Sequence, residues 1–537
     1  MRIGFAIVIF ALSFYNTHAQ YISGVTIPNM SVAVVNDTSD VSVKFANSIK
    51  AEDIKKHLLK LTSKEFEGRE TGEPGNMLAA QYIAAELVKL NLETIGDDGC
   101  FQNVAFTISS WEDTDIFING NRYRHLWDYL SFPSANRDMP VLTSKEVIFL
   151  GYGIDDTKYT DYKGKKFKDA ILLINAGEPM INDSIYRISG TKATSNWTEA
   201  RKLRLAKERG VKLVLIIQDN IKEMLGENRK YLLGPQVELG DKSKDSVIYP
   251  NVCYISSTIA KDIIGSKEKD IIKMRKSIME KGKSKPVKLK ADVIVNQKKK
   301  QKSILGKNVL GMMRGTDKKD EYVFVTAHYD HLGKRGDEIF YGADDNASGT
   351  STVLELAEAF AVARNNYKRP RRNVVFMLVT GEEKGLLGSG YYSSNPIIPI
   401  KNTVVDINID MVGRIDEKHK DDPNYLYVIG SDRLSTDLHK INEDMNQKYS
   451  QMTLDYTYND EKDPNRYYFR SDHYNFAKVG IPAIFFFNGV HADYHQPTDT
   501  PDKIDFDLME KRGKMIFHTA WELANREERI KVDGVIK

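Results

Sequence analysis

Cysteine is nearly absent: the 537 residues contain two, Cys100 and Cys253. One pair cannot build a disulfide-stapled fold or a cysteine-rich zinc site, so any metal must be held by histidine and carboxylate. An exported chain permits a Cys100–Cys253 disulfide, and two buried thiols are equally compatible with the sequence. Charge of one sign is also missing. The 77 Lys and Arg nearly balance 74 Asp and Glu, and no basic stripe occurs, which removes the electrostatic footprint of a nucleic-acid binder. Internal repeats and long low-complexity tracts are absent too. With 41% hydrophobic and 28% charged residues, the chain has apolar material for more than one core, and its length predicts two to three domains.

The first residues are the exception to this even mixture. Arg2, an apolar stretch over 3–15 and the small-residue site Thr17-His18-Ala19 predict a signal peptide over 1–19. The mature protein is then exported, secreted or periplasmic, with no later segment long enough to be an integral membrane helix. Residues 20–50 lack helical periodicity and read as an N-terminal extension. From Ala51, "AEDIKKHLLKL" and "NMLAAQYIAAELVKL" carry apolar residues at helical spacing, separated by the loop "TSKEFEGRETGEPG".

Residues 111–290 hold short β-like runs, "EVIFLGYG", "AILLINAG" and "KLVLIIQD", with one helical stretch, "TEARKLRLAKERG". No constellation of ionisable residues there supports catalysis, so a binding or lid role is expected. The run "QKKKQK" before Ser303 reads as a solvated linker. Residues 291–530 alternate apolar strands ("EYVFVTAH", "NVVFMLVTG", "NTVVDINIDMVG", "YLYVIG", "IPAIFFFNG") with helical stretches. This predicts an α/β fold with a mostly parallel central sheet flanked by helices. Residues 531–537 form a tail.

In an open α/β sheet, ligands bind beyond the carboxyl ends of the strands. Polar residues recur there: His328 and Asp330, Asp344 and Asp345, Glu382 and Glu383, Asp410, and His495 in "DYHQPTDTPDKID". Singly, each suits a cap, an ion pair or a solvated loop. Together at one sheet edge they suit two divalent zinc ions. Asp345 is the expected bridge, with His328 and Asp410 completing one position and Glu383 and His495 the other. Asp330 is expected to hydrogen-bond the far nitrogen of His328. His331 reads as a polar residue at the site edge, Ser471 or Asp472 as a helix cap, and Asp499 as support for the His495 loop.

Together "VTAHYDHLG", "YGADDNASGT", "LVTGEEKGLLGS", "NIDMVG", "RSDHYNF" and "DYHQPTDTPDKI" resemble the zinc aminopeptidase family that includes glutamate carboxypeptidase and the transferrin receptor. The resemblance implies that Glu382 is the general base and that Tyr494 hydrogen-bonds the reacting carbonyl, and it leaves open a supporting role beside the site for Ser471, Asp472 and His473. It implies that 51–110 and 291–530 form one discontinuous catalytic domain, interrupted by a β-rich protease-associated-like insert over 111–290. The implied protein is a metallopeptidase acting on peptide or protein substrates, with aminopeptidase the commoner activity. A carboxypeptidase, a single-zinc glutaminyl cyclase and a non-catalytic receptor-like protein are the alternatives. Arg414, Arg466 and Arg470 are the candidate grips for a terminal carboxylate. Oligomeric state is not legible.

Overall fold

The computed structural model describes residues 40–534, apart from 165, 183–184, 192–194, 230–231, 233 and 241–249. The signal peptide over 1–19 and the extension up to residue 39 lie outside the described residues. Twelve strands carry the description: β1 (Phe101–Ile118), β2 (Met139–Phe149), β3 (Ile171–Asn175), β4 (Leu213–Ile217), β5 (Asn251–Ile255), β6 (Val287–Met313), β7 (Lys318–His328), β8 (Arg372–Val379), β9 (Thr403–Ile409), β10 (Tyr425–Ile429), β11 (Thr453–Asp455) and β12 (Ala483–Phe487). Eleven of them lie in the order β11-β10-β12-β9-β7-β8-β6-β2-β3-β4-β5, and β1 pairs with β6 off this path.

The middle of this sheet is parallel: β8 with β7, β7 with β9, and β9 with β12. Every residue of β8, β9 and β12 is buried, as expected for strands covered on both faces. Five helices cover them: α1 (Ala51–Leu61), α2 (Pro74–Lys89), α3 (Gly349–Asn365), α4 (Thr436–Tyr449) and α5 (Phe506–Asn525). The sequence "GTSTVLELAEAFAVARN" is apolar or small nearly all round, and α3 is accordingly buried on almost every face beneath α1 and α5. Its Phe360 meets Phe517 and Trp521 of α5, with ring centroids 5.1 and 5.5 Å apart. Residues 41–46, within the expected extension, form a short helix whose Phe45 packs on Trp521. Among the described residues, no helix is long and apolar enough to cross a membrane.

A second apolar core lies around β2–β5, which run parallel and are accompanied by helices such as Glu199–Glu208 and Glu268–Lys281. The two cores are joined by β1 and β6, which pair antiparallel from Phe101↔Val309 to Ile118↔Val293. β1 runs through residue 111 and β6 through residue 290, where the sequence reading divides the chain. The run 297–302 is therefore a strand and not a linker: Gln297 pairs with Thr114 and Lys302 with Ile108. Its backbone bonds come from a partner almost 200 residues away, while Lys298, Lys300 and Lys302 stay exposed. An antiparallel ribbon tolerates such charges on its open face. Cys100 and Cys253 are both buried free thiols, one in each core.

Candidate metal centre

Because β7, β8, β9 and β12 are parallel, their carboxyl ends share one edge. His328 ends β7, Glu382 and Glu383 follow β8, and Asp410 follows β9. Asp345 arrives on the connection from β7 to α3, just past Gly342. His328 Nε2 lies 3.4 Å from Asp345 Oδ1 and 3.3 Å from Asp410 Oδ1. The other oxygen of Asp345, Oδ2, lies 3.1 Å from His495 Nε2, which is 3.3 Å from Glu383 Oε1. One carboxylate thus faces two separate groups of donors. Glu382 sits on the first side, its Oε2 4.0 Å from His328 Nε2, while its neighbour Glu383 sits on the second.

The site is fitted for cations. Asp345 and His328 are almost wholly buried, and Asp345 Oδ2 makes no hydrogen bond. Burial drives the Glu382 carboxyl well above its ordinary range; His328 opposes this, and Glu383 and Asp410 reinforce it. Burial pulls His495 down, but the carboxylates of Asp345 and Glu383 outweigh it and lift the imidazole to about 10. Burial likewise raises Glu383, but His331 and His495 reverse this and bring it down to about 2. His328 and His495 therefore hold protons as counter-charges, and a divalent ion would displace them. Imidazole and carboxylate donors, with no thiolate, suit zinc.

Residues 308–520 match the sequence profile of Peptidase family M28. The chain carries an M28 peptidase domain. Over 232 residues it is 28% identical to the aminopeptidase YwaD of Bacillus subtilis, spanning 42% of this chain and 46% of that protein. It is 33% identical to a probable leucine aminopeptidase of Trichophyton verrucosum, over 38% of this chain and 55% of the relative. The chain thus spans about half the length of the curated relatives it matches. Among solved structures, an aminopeptidase from Aneurinibacillus sp. strain AM-1 superposes with a TM-score of 0.53 at 19% identity, over 92% of this chain and 98% of that one. That likeness establishes the fold.

All five expected ligands of the M28 domain, His328, Asp345, Glu383, Asp410 and His495, converge, and Tyr494 stacks on His495 with centroids 3.9 Å apart. Several supporting contacts differ from expectation. His328 Nδ1 meets the backbone oxygen of Asp330 at 3.1 Å, whereas the Asp330 carboxylate stands 3.9 Å away. That carboxylate is taken up by Thr71 Oγ1 and the backbone N–H groups of Glu382 and Glu383. Asp330 therefore fixes the loop bearing both glutamates. Asp472 stands at the N-cap of the following helix, but no side-chain cap hydrogen bond is made there. Ser471 donates to Asp410 Oδ2 at 2.6 Å, and Asp472 accepts from Ser389 at 2.5 Å. Asp499 supports the Asp345 loop and not that of His495, accepting from the N–H groups of Asp344 and Asp345. His331 is fully buried beside Glu383, not at the edge.

One contributor carries no recognisable sequence signal. Arg69, in the loop between α1 and α2, is fully buried. It donates to the carbonyls of Tyr329, Leu61, Tyr341 and Gly342 at 2.7–2.9 Å. It thereby clamps both segments that bring His328 and Asp345 together.

Proposed function

We propose that this protein is an exported two-zinc exopeptidase that releases N-terminal residues from peptides. The observation that carries the reading is the split engagement of Asp345, one oxygen towards His328 and the other towards His495. Two nearby cations need an anion between them, and a carboxylate can supply one oxygen to each. His328 and Asp410 would hold one ion, Glu383 and His495 the other. Zinc bound there supplies a Lewis acid for the carbonyl and lowers the pKa of the attacking water.

Glu382 takes the proton of that water and returns it to the leaving amine. Its position beside His328, opposite Glu383, leaves its carboxylate able to face the reacting atoms. Tyr494, held at 3.3 Å by Arg470, directs its hydroxyl to the carbonyl oxygen as charge develops there. A cleft of about 630 Å³ reaches Glu383 between Glu70 on one side and Ile108, Gln236, Lys300 and Lys302 on the other. We assign peptide binding to it, with the protease-associated-like insert over 111–290 shaping access and performing no chemistry.

Cleavage at the N-terminus is favoured by the aminopeptidase names of the relatives. It is also favoured by Arg414, whose guanidinium is engaged by Asp493 at 2.9 Å. Arg466 stacks on Phe469. Arg470, beside Tyr494, is the cation that would serve the carboxypeptidase alternative. A peptide set with blocked N- or C-termini tests the reading on enzyme stripped by chelator and reloaded with zinc. N-acetylated peptides should resist and C-amidated ones be cut, only after reloading. Activity in verified zinc-free protein, or cleavage of N-acetylated peptides only, contradicts it.

A further inference from the structure

His331 is a fully buried histidine whose two ring nitrogens make no hydrogen bond. Such a group is costly to bury unless something else satisfies it. Its Nδ1 stands 2.9 Å from Glu383 Oε1 and 3.7 Å from Asp345 Oδ2. The shorter contact is within hydrogen-bonding reach but is not aligned as a hydrogen bond. His495 behaves in the same way towards the same carboxylates, at 3.3 and 3.1 Å. Two imidazoles therefore crowd the same pair of carboxylates.

The donor atoms of His331, Asp345 and Glu383 all lie within 4.8 Å of one another, as ligands of one ion do. With zinc–ligand bonds of about 2.0–2.1 Å, neighbouring donor atoms lie about 3.3 Å apart and point at the metal, not at each other. The four separations above, 2.9, 3.7, 3.1 and 3.3 Å, scatter around that value. The backbone is shaped to seat the His331 ring. A Cβ at Gly342, where φ is +54°, would come within 2.5 Å of its Cγ. The ring's other neighbour is His495, edge-on at 5.9 Å.

Resting on the two-zinc reading, we infer that His331 is a sixth protein ligand, joining Asp345, Glu383 and His495 at the second position. That position would have four protein donors, against three at the first, where His328, Asp345 and Asp410 leave a place for water. Its ion would be the more tightly held, and water activation would fall to the His328 side, next to Glu382.

The test uses the dicobalt protein, in which each coordinated imidazole gives one exchangeable, hyperfine-shifted N–H resonance in the proton NMR spectrum. Three such resonances are expected, from His328, His331 and His495. His331→Asn should remove one, and should weaken binding of one ion by more than the roughly 10–100-fold typical of losing a group that only orients a ligand. Two resonances in the unmodified protein, with two cobalt ions bound per chain, overturn the inference and leave the two-metal reading intact. Fewer than two ions per chain overturns both.

Discussion

Replacing Arg69 by Met keeps the buried volume and removes the clamp. Four carbonyls lose a donor: those of Tyr329, Leu61, Tyr341 and Gly342, the last of which still accepts from the N–H of Ala347. Three of the four bonds are fully buried, so water cannot readily replace them. Orphaning a buried polar group costs about 1–3 kcal/mol, and bonds from a charged donor lie at the upper end. Relaxation will recover part of this, so the expected loss is about 4 kcal/mol. At about 2–4 °C per kcal/mol, Tm should fall by roughly 8–16 °C. Arg69→Lys is the informative companion. It keeps the cation near Asp345 and Asp330 but not the planar fork, and a point charge cannot serve four carbonyls. Lysine should therefore rescue little. Thermal unfolding followed by calorimetry reads both variants, and zinc content reads the site. A Tm for Arg69→Met within about 2 °C of the parent, less than the shift for a loss of 1 kcal/mol, refutes the clamp.

Glu355, buried in α3, has its carboxyl raised to about 8, first by burial and then by Glu358. The folded protein therefore keeps this proton while the unfolded chain loses it, so stability falls as pH rises from about 4.5 to about 8. Glu355→Gln should be more stable than the parent at pH 8, by a few kcal/mol at most, with the gap closing towards pH 4.5. A gap independent of pH in denaturant titrations would contradict this. Lys300 and Lys302 project from β6 into the cleft, and among the described residues neither has a carboxylate partner. Changing both to Ser should raise KM for peptides with acidic side chains about two- to tenfold, leaving kcat and zinc content unchanged; an unaltered KM would remove them from the substrate path.

The strands around the site were legible because buried parallel strands are short apolar runs, and β7, β8, β9 and β12 lie where "EYVFVTAH", "NVVFMLVTG", "NTVVDINI" and "IPAIFFF" stand. His328, Glu383 and Asp410 could be placed together because strand ends of one parallel sheet meet at one edge. What escaped depends on contacts distant in sequence. Lys298, Lys300 and Lys302 look solvated and are, but their backbone is claimed by β1. Asp330 looks like a partner for His328, yet Thr71 and two N–H groups compete for its oxygens. Arg69 sits in a loop without periodicity, and three of the four carbonyls that it clamps lie 260 or more residues away.

The central claim is that hydrolysis runs on a metal pair with Glu382 as the proton carrier, and the paired variants Glu382→Gln and Glu383→Gln test it most directly. Both leave size and polarity nearly unchanged. Glu382→Gln should lower kcat by about 10²–10⁴-fold with two zinc ions still bound per chain. Glu383→Gln should instead lose zinc and regain part of its activity in excess metal. Zinc analysis beside steady-state kinetics gives both readouts. Loss of zinc from Glu382→Gln with zinc retained in Glu383→Gln would reverse the two assignments, and an unchanged kcat in Glu382→Gln would contradict the mechanism.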